Sequence, residues 1–296
     1  MVFHFIIYLC MIYLQETQSP ELSPATKWVF LTILFGVIAY IVISRVFIYS
    51  EQIYASIYKS PFFLNLRILK DKLTPQQLEL LKHEFSFYNT LNEKQKSIFR
   101  YRLGAFIKRK QFIGRDGIAP TDEMKTLISA TAVMLTFGFR NYFIDIIDKI
   151  IIYPEAYYSN LNDAYHKGET NPQLQIIAFS WEDFKKGYHI GDDNLNLGIH
   201  EFGHAIHLNA FSNDDISSLI FKSGFQKLMT YLQNHQNVRQ ALIESKYFRT
   251  YAFTNHYEFF AVLLENFFET PIAFKSQFPE IYSLIKEMLN FKYAKY

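Results

Sequence analysis

The run His200-Glu201-Phe202-Gly203-His204 limits the fold more than any other part of the chain. Two imidazoles four residues apart share one face of an α-helix and can hold a single cation, so the residues around 200–204 have to be helical. Glu201 follows the first imidazole, turned about 100° around the axis. From there its carboxylate can reach a water on the metal as general base. Nine His and seventeen Glu in 296 residues supply on the order of 0.02 such matches by chance. Coincidence is a poor account of the motif.

Two histidines do not complete a catalytic zinc site. A third protein ligand has to arrive from elsewhere, leaving one position for water. An extension of the form His-x-x-Gly-x-x-His is absent, because position 207 is His and position 210 is Ala. His207 is itself a candidate, but three imidazoles on one straight helix compete for geometry, which favours a supporting or cleft-lining role. In the apolar stretch Tyr257–Glu269, Glu258 and Glu265 lie seven residues apart on one face. One of them could bind the metal while the other supports a ligand imidazole. Against this, Asn255-x-x-Glu258 is also a capping-box pattern that would make Glu258 structural. Composition leaves both readings open.

Seventeen residues from Trp28 to Ser44 carry no charge, between Lys27 and Arg45. Continued to Tyr49, the stretch is about 20 residues, enough for a transmembrane helix over about 28–49. Met1–Leu14 is apolar but short for a span and lacks a basic leader and a small-residue cleavage site, which argues against a removed signal peptide. It reads as one half of a hairpin with that span, or as a mis-assigned start ahead of Met11. Arg45, Lys59, Arg67, Lys70 and Lys72 follow the span, whereas Lys27 precedes it beside Glu16 and Glu21. The positive-inside bias therefore places the C-terminal part in the cytoplasm. Cys10 is the single cysteine, so no intrachain disulfide can form.

The formal net charge of +2 is too small to argue for nucleic acid as a partner. A basic run of Arg100, Arg102, Lys108, Arg109, Lys110 and Arg115, interleaved with Tyr101, Phe106 and Phe112, is expected to be a solvated helix face rather than a lipid or phosphate site. Thr74-Pro75-Gln76-Gln77 opens a first helix with a capping box, and Leu78, Leu81, Phe85 and Tyr88 follow at helical spacing. Thr90-x-x-Glu93 is expected to open a second running to about Phe112, and Pro120-Thr121-Asp122-Glu123 a third. Ile150–Tyr153, ended by Pro154, and Leu174–Phe179 have strand composition. Paired beside the metal helix they could leave an edge for an extended peptide, or simply be core strands. Leu195, Ile199, Phe202 and Ile206 are expected as the buried stripe of the metal helix. Gly198 and Gly203 make sense there if another backbone or a substrate passes close by.

Several ordered pieces together resemble the Mlc titration factor A family, zinc-dependent peptidases with a catalytic core similar to that of anthrax lethal factor. These are FIGRDGIAPTDEMKTLISATAVMLTFG at 112–138, IIYPEAYY at 151–158, IIAFSWEDF at 176–184, LNLGIHEFGHAIHL at 195–208 and YAFTNHYEFFAVLLENFFETP at 251–271. The resemblance covers roughly 75–290. It implies one zinc ion held by His200, His204 and Glu258 in a gluzincin-type set, with Glu201 as general base. It also implies that Tyr251 donates a hydrogen bond to the oxyanion formed at the scissile carbonyl. It gives Glu265 no ligand role. The expected fold is α+β and predominantly helical: an anchor region over 1–50, then a zincin-like peptidase domain over 51–296. That domain would comprise a helical lobe at about 60–140 and a catalytic core at about 145–296. His207, where relatives usually carry Asp, and the membrane span depart from the family pattern.

The function these features favour is hydrolysis of a peptide or protein substrate at the membrane. The alternative is a metal-stabilised, non-catalytic module that sequesters a protein partner there; no residue identifies that partner.

Overall fold

A stretch without a polar stripe offers a helix no face to solvate, and in the computed structural model residues Pro24–Tyr58 form one helix, α1. Its most apolar 18 residues have a mean hydropathy of 2.4 and none is buried, so the helix is long and apolar enough to cross a membrane. The structure describes residues 23–64, 73–159, 163–189, 193–294 and 296. The apolar segment 1–14, Cys10, Arg67, Lys70 and Lys72 lie outside them. By internal contacts the chain divides into two units, Met1–Ser50 and Glu51–Tyr296.

The second unit is α+β and mostly helical, as the sequence predicts. Thr74 caps α2 (Pro75–Glu84) through the expected capping box with Gln77. The helix stops at Phe85, which separates it from the short α3 (Ser86–Thr90). The expected start at Thr90 is corrected: Asn92 caps α4 (Glu93–Arg109), exchanging bonds of 3.0 Å with Gln95 in both directions. Thr90 instead turns its hydroxyl back to Phe87 O at 2.7 Å, which ends α3. Nor does α4 reach Phe112. Gln111–Gly114 leave it as strand β1, where Ile113 pairs with Ile151 of β2 (Lys149–Tyr153).

The basic run also differs from expectation. Arg102 is fully buried and donates to Thr136 O and Phe137 O at 3.1 Å and to Phe139 O at 2.7 Å, satisfying carbonyls past the end of α5 (Asp122–Leu135). Lys110 is buried and donates to the carbonyls of Ile144 and Ile147. Buried backbone carbonyls need donors, and two of the six basic residues supply them, Arg102 to those just past α5 and Lys110 to those in the segment before β2.

Strands β3 (Tyr157–Ser159) and β4 (Ala164–His166) form a separate antiparallel pair. The main sheet runs β1-β2-β6-β5, with β5 at Gly168–Asn171 and β6 at Ile176–Ser180. The first three of these are parallel and β5 closes one edge antiparallel. The two strands predicted from sequence therefore do pair with each other. Ile150 and Ile152 on one face of β2 and Ile151 on the other are all buried, because helices and the β3–β4 pair leave it little solvent.

After α6 (Trp181–His189) comes α7 (Leu197–Ser212), which carries the His-Glu-x-x-His run. Ile199, Phe202 and Ile206 are buried as expected, but Leu195 precedes the helix and is exposed, because Asn196 is the cap. Next come α8 (Ile216–Asn234), α9 (Gln236–Glu244), a 3-10 turn (Thr250–Phe253), α10 (His256–Glu269), α11 (Pro271–Gln277) and α12 (Pro279–Met288). One hydrophobic core joins residues from Leu81 to Phe291. At its centre α7 crosses α10 at Gly203, where an added Cβ would lie 3.2 Å from Leu264 Cδ1 and 3.4 Å from Ala261 Cα. A small residue there lets the two helices that carry the candidate ligands approach closely.

Candidate metal centre

The first turn of α7 is fixed by Asn196, whose Oδ1 accepts from Ile199 N at 3.0 Å while its Nδ2 donates to Gly187 O and to Glu269 Oε1. Glu269 ends α10, so this cap ties the start of one ligand-bearing helix to the end of the other. Burial pushes the Glu269 carboxyl up to about 8, with Glu265 and Asp193 adding to it against the Asn196 bond. Unfolded, the group titrates near 4.5. Between those values the folded chain keeps a proton that the unfolded chain has released, so stability falls as pH rises from about 4.5 to about 8. Glu269→Gln preserves the acceptor. We expect it to melt with wild type near pH 4.5 and above wild type at pH 8; a difference that does not widen with pH would contradict this assignment.

One turn further on, the imidazoles of His200 and His204 lie with Nε2 atoms 3.1 Å apart. From α10, Glu258 Oε2 reaches to 3.0 Å from His200 Nε2 and 3.5 Å from His204 Nε2. Asn255 caps α10 with its own oxygen, accepting from Tyr257 N and Glu258 N, and the Glu258 carboxylate is turned to the imidazoles. His200, His204 and Glu258 are the group among the described residues whose donor atoms could hold a metal ion.

The second carboxylate of α10 settles the tautomer of His200. Glu265 is fully buried, and its Oε1 lies 2.6 Å from His200 Nδ1. A carboxylate at that distance accepts a hydrogen bond from Nδ1–H, which in the neutral ring leaves Nε2 with a lone pair. His200 Nε2, His204 Nε2 and Glu258 Oε2 then meet lone pair against lone pair, which is why Glu258 Oε2 is buried without a hydrogen-bond donor despite its near neighbours. Something positive has to stand between them. Donors about 2.0–2.1 Å from a tetrahedral centre stand roughly 3.3–3.4 Å apart, and separations of 3.0, 3.1 and 3.5 Å span that value. The residues fit a tetrahedral cation. In a metal-free chain, protons fill the same role. Burial alone would push Glu258 up, but the two imidazoles hold its carboxyl well below the usual carboxylate range. Burial alone would lower His200, but Glu258 and Glu265 bring it to about 9.

Glu201 faces the other way round the helix, towards β5. Thr170 Oγ1 lies 2.9 Å from Glu201 Oε2 and 3.0 Å from Glu201 O. A Cβ at Gly168 would come within 2.7 Å of Glu201 Cγ and 2.8 Å of its Oε1, so a side chain there would displace this carboxylate. Burial raises the Glu201 carboxyl above its ordinary value, against the lowering effect of His204 and His200. Tyr251, on the 3-10 turn, is half exposed with its ring 6.1 Å from that of His200. Burial and the nearby Glu258 push its phenol up to about 12, so it remains a donor. His200, Glu201, Glu265 and Tyr251 line one cavity of about 510 Å³, together with Arg249 and Tyr165.

Known proteins are similar to this one over most of the chain. Residues 64–290 match the family described as glucose-regulated metallo-peptidase M90. The chain belongs to that family. An uncharacterized Synechocystis sp. protein, slr2042, is 25% identical to this M90-family chain over 282 residues, covering 87% of the chain and 94% of its own length. Mlc titration factor A of Yersinia pestis (strain Pestoides F) is 21% identical over 209 residues, covering 65% of the chain and 76% of its own length. The resemblance drawn from the sequence pieces agrees with this membership.

His207 lies apart from the metal group. It is buried among aromatic rings, 4.5 Å from Phe225 and 4.7 Å from Tyr257, where burial lowers its pKa to about 4 and keeps it neutral. Thr170, Gly168 and Arg249 touch the site residues but have no sequence signal. Gly-Glu-Thr-Asn at 168–171 is too polar to suggest a strand, and Arg249 is one basic residue among 30.

Proposed function

We propose that the chain is a zinc-dependent peptidase with Glu201 as its general base and Tyr251 as its oxyanion donor. The observation that carries this is the convergence of three lone pairs from His200, His204 and Glu258. Zinc bound there lowers the pKa of water and polarises a carbonyl oxygen. Glu201, walled off by Gly168 and held by Thr170, removes a proton from the attacking water and returns it to the leaving amine. A carboxyl raised by burial is the more effective proton acceptor for that transfer. Tyr251 donates a hydrogen bond from its phenol to the oxyanion that develops on the former carbonyl oxygen. Glu265 keeps the His200 ring in one orientation throughout.

The edge strand β5 runs beside Glu201, and its outer backbone groups suit an extended peptide added as a further strand. Helix α1 serves as a membrane anchor in this reading. Arg45 and Lys59 after the apolar stretch, against Lys27 before it, support a cytoplasmic side for residues 51–296. The alternative is sequestration without cleavage, which the name of the Yersinia relative, a titration factor, brings forward.

Chelation separates the two. Detergent-purified protein stripped of metal should lose hydrolysis of a casein-derived peptide mixture, and added zinc should restore it. Zinc-loaded protein that cleaves none of these peptides favours the sequestering module.

A further inference from the structure

Glu265 Oε1 carries two donors. His200 Nδ1 and Arg249 Nη2 each lie 2.6 Å from it. The two nitrogens are only 3.1 Å from each other, a donor–donor contact that is tolerable because both point at one carboxylate oxygen. Glu265 has no exposed surface at all, whereas Arg249 keeps some towards the cavity. A carboxylate so placed needs donors on its oxygens to stay aimed at His200. Arg249 supplies the second donor.

The same residue starts the turn that bears Tyr251. Arg249 O accepts from Ala252 N at 2.9 Å, and the guanidinium carbon lies 5.7 Å from the centre of the Tyr251 ring. That contact is within the range of a cation–π attraction. We propose that Arg249 is a positioning residue: it locks the Tyr251-bearing turn onto the Glu265–His200 pair, so that the oxyanion donor and the first metal ligand keep one mutual geometry. This rests on the metal-site reading above but not on peptide hydrolysis. A planar guanidinium is needed, because one donor must hold Glu265 while the rest of the group stays beside the ring.

Cobalt titration of the full chain in detergent tests the proposal, read by the visible absorption of the bound ion. The proteins compared are wild type, Arg249→Met, Arg249→Lys and Glu265→Gln. Arg249→Met should weaken cobalt binding by about 10–100-fold and shift the absorption bands, with Arg249→Lys between it and wild type. Added to Glu265→Gln, Arg249→Met should cost little more, since both act through one oxygen. In hydrolysis, Arg249→Met should lower kcat about tenfold or more with KM within about threefold. Wild-type affinity and bands in Arg249→Met overturn the proposal, and so does full additivity with Glu265→Gln. If Arg249→Met does not fold, the Arg249→Lys and Glu265→Gln spectra decide it: both unchanged from wild type overturns it. Wild type that binds cobalt but cleaves no peptide sinks the peptidase reading and leaves this comparison intact.

Discussion

Glu201→Gln keeps its metal and loses turnover, by about 10²–10⁴-fold in kcat. The substitution is isosteric, so the wall formed by Gly168 and the contact with Thr170 at 2.9 Å stay in place. Glu201 is not in the group that can hold the ion, so the donor set is untouched. What should disappear is the oxygen proposed to take the water's proton. An amide cannot accept that proton, and neither nearby carboxylate can stand in for it. Glu258 faces the imidazoles, and Glu265 is shared by His200 and Arg249. Zinc content after dialysis and steady-state hydrolysis, measured on the same preparation, check both halves. Activity within tenfold of wild type would remove Glu201 from the mechanism. Loss of zinc along with activity would mean that its role is structural.

Local patterns in this chain were legible and distant ones were not. His200, Glu201 and His204 are set by helical periodicity alone, and the same holds for the Thr74–Gln77 box and for Glu258 and Glu265 on one face of α10. Which of those two carboxylates meets the histidines depends on how α10 crosses α7, and that crossing is set by packing at Gly203 against Ala261 and Leu264. The family resemblance chose Glu258; residue spacing could not. Strand β5 left no trace because Gly168, Glu169 and Asn171 stand where a strand usually shows β-branched or aromatic residues, and its single β-branched residue, Thr170, bonds Glu201. Thr90 and Asn92 both have a residue three positions on that suits a capping box. Only backbone geometry distinguishes the residue that ends α3 from the one that starts α4. Arg102 and Arg249 are alike in this respect: a lone basic residue carries no sign of whether it faces water, a helix end or a buried carboxylate.

Glu258→Ala should empty the metal centre while leaving the fold standing. Structural zinc sites bind with about 10–16 kcal/mol. One of three protein ligands then carries on the order of 3–5 kcal/mol, a loss of about 10²–10⁴-fold in affinity. Catalysis should fall to background, because the cation and the charge that balances it leave together. The helix should persist, since Asn255 caps it through the backbone N–H groups of residues 257 and 258, which alanine retains. The metal-free variant also leaves His200 and His204 without the carboxylate that pairs with them. Its melting temperature without zinc should therefore sit at or below that of metal-free wild type, while the rise on adding zinc, large in wild type, should nearly vanish. Paired melts with and without zinc separate loss of a ligand from loss of structure. An unchanged zinc-dependent rise in Glu258→Ala would mean that the two histidines recruit their third partner from elsewhere, and the assignment of this carboxylate would fail.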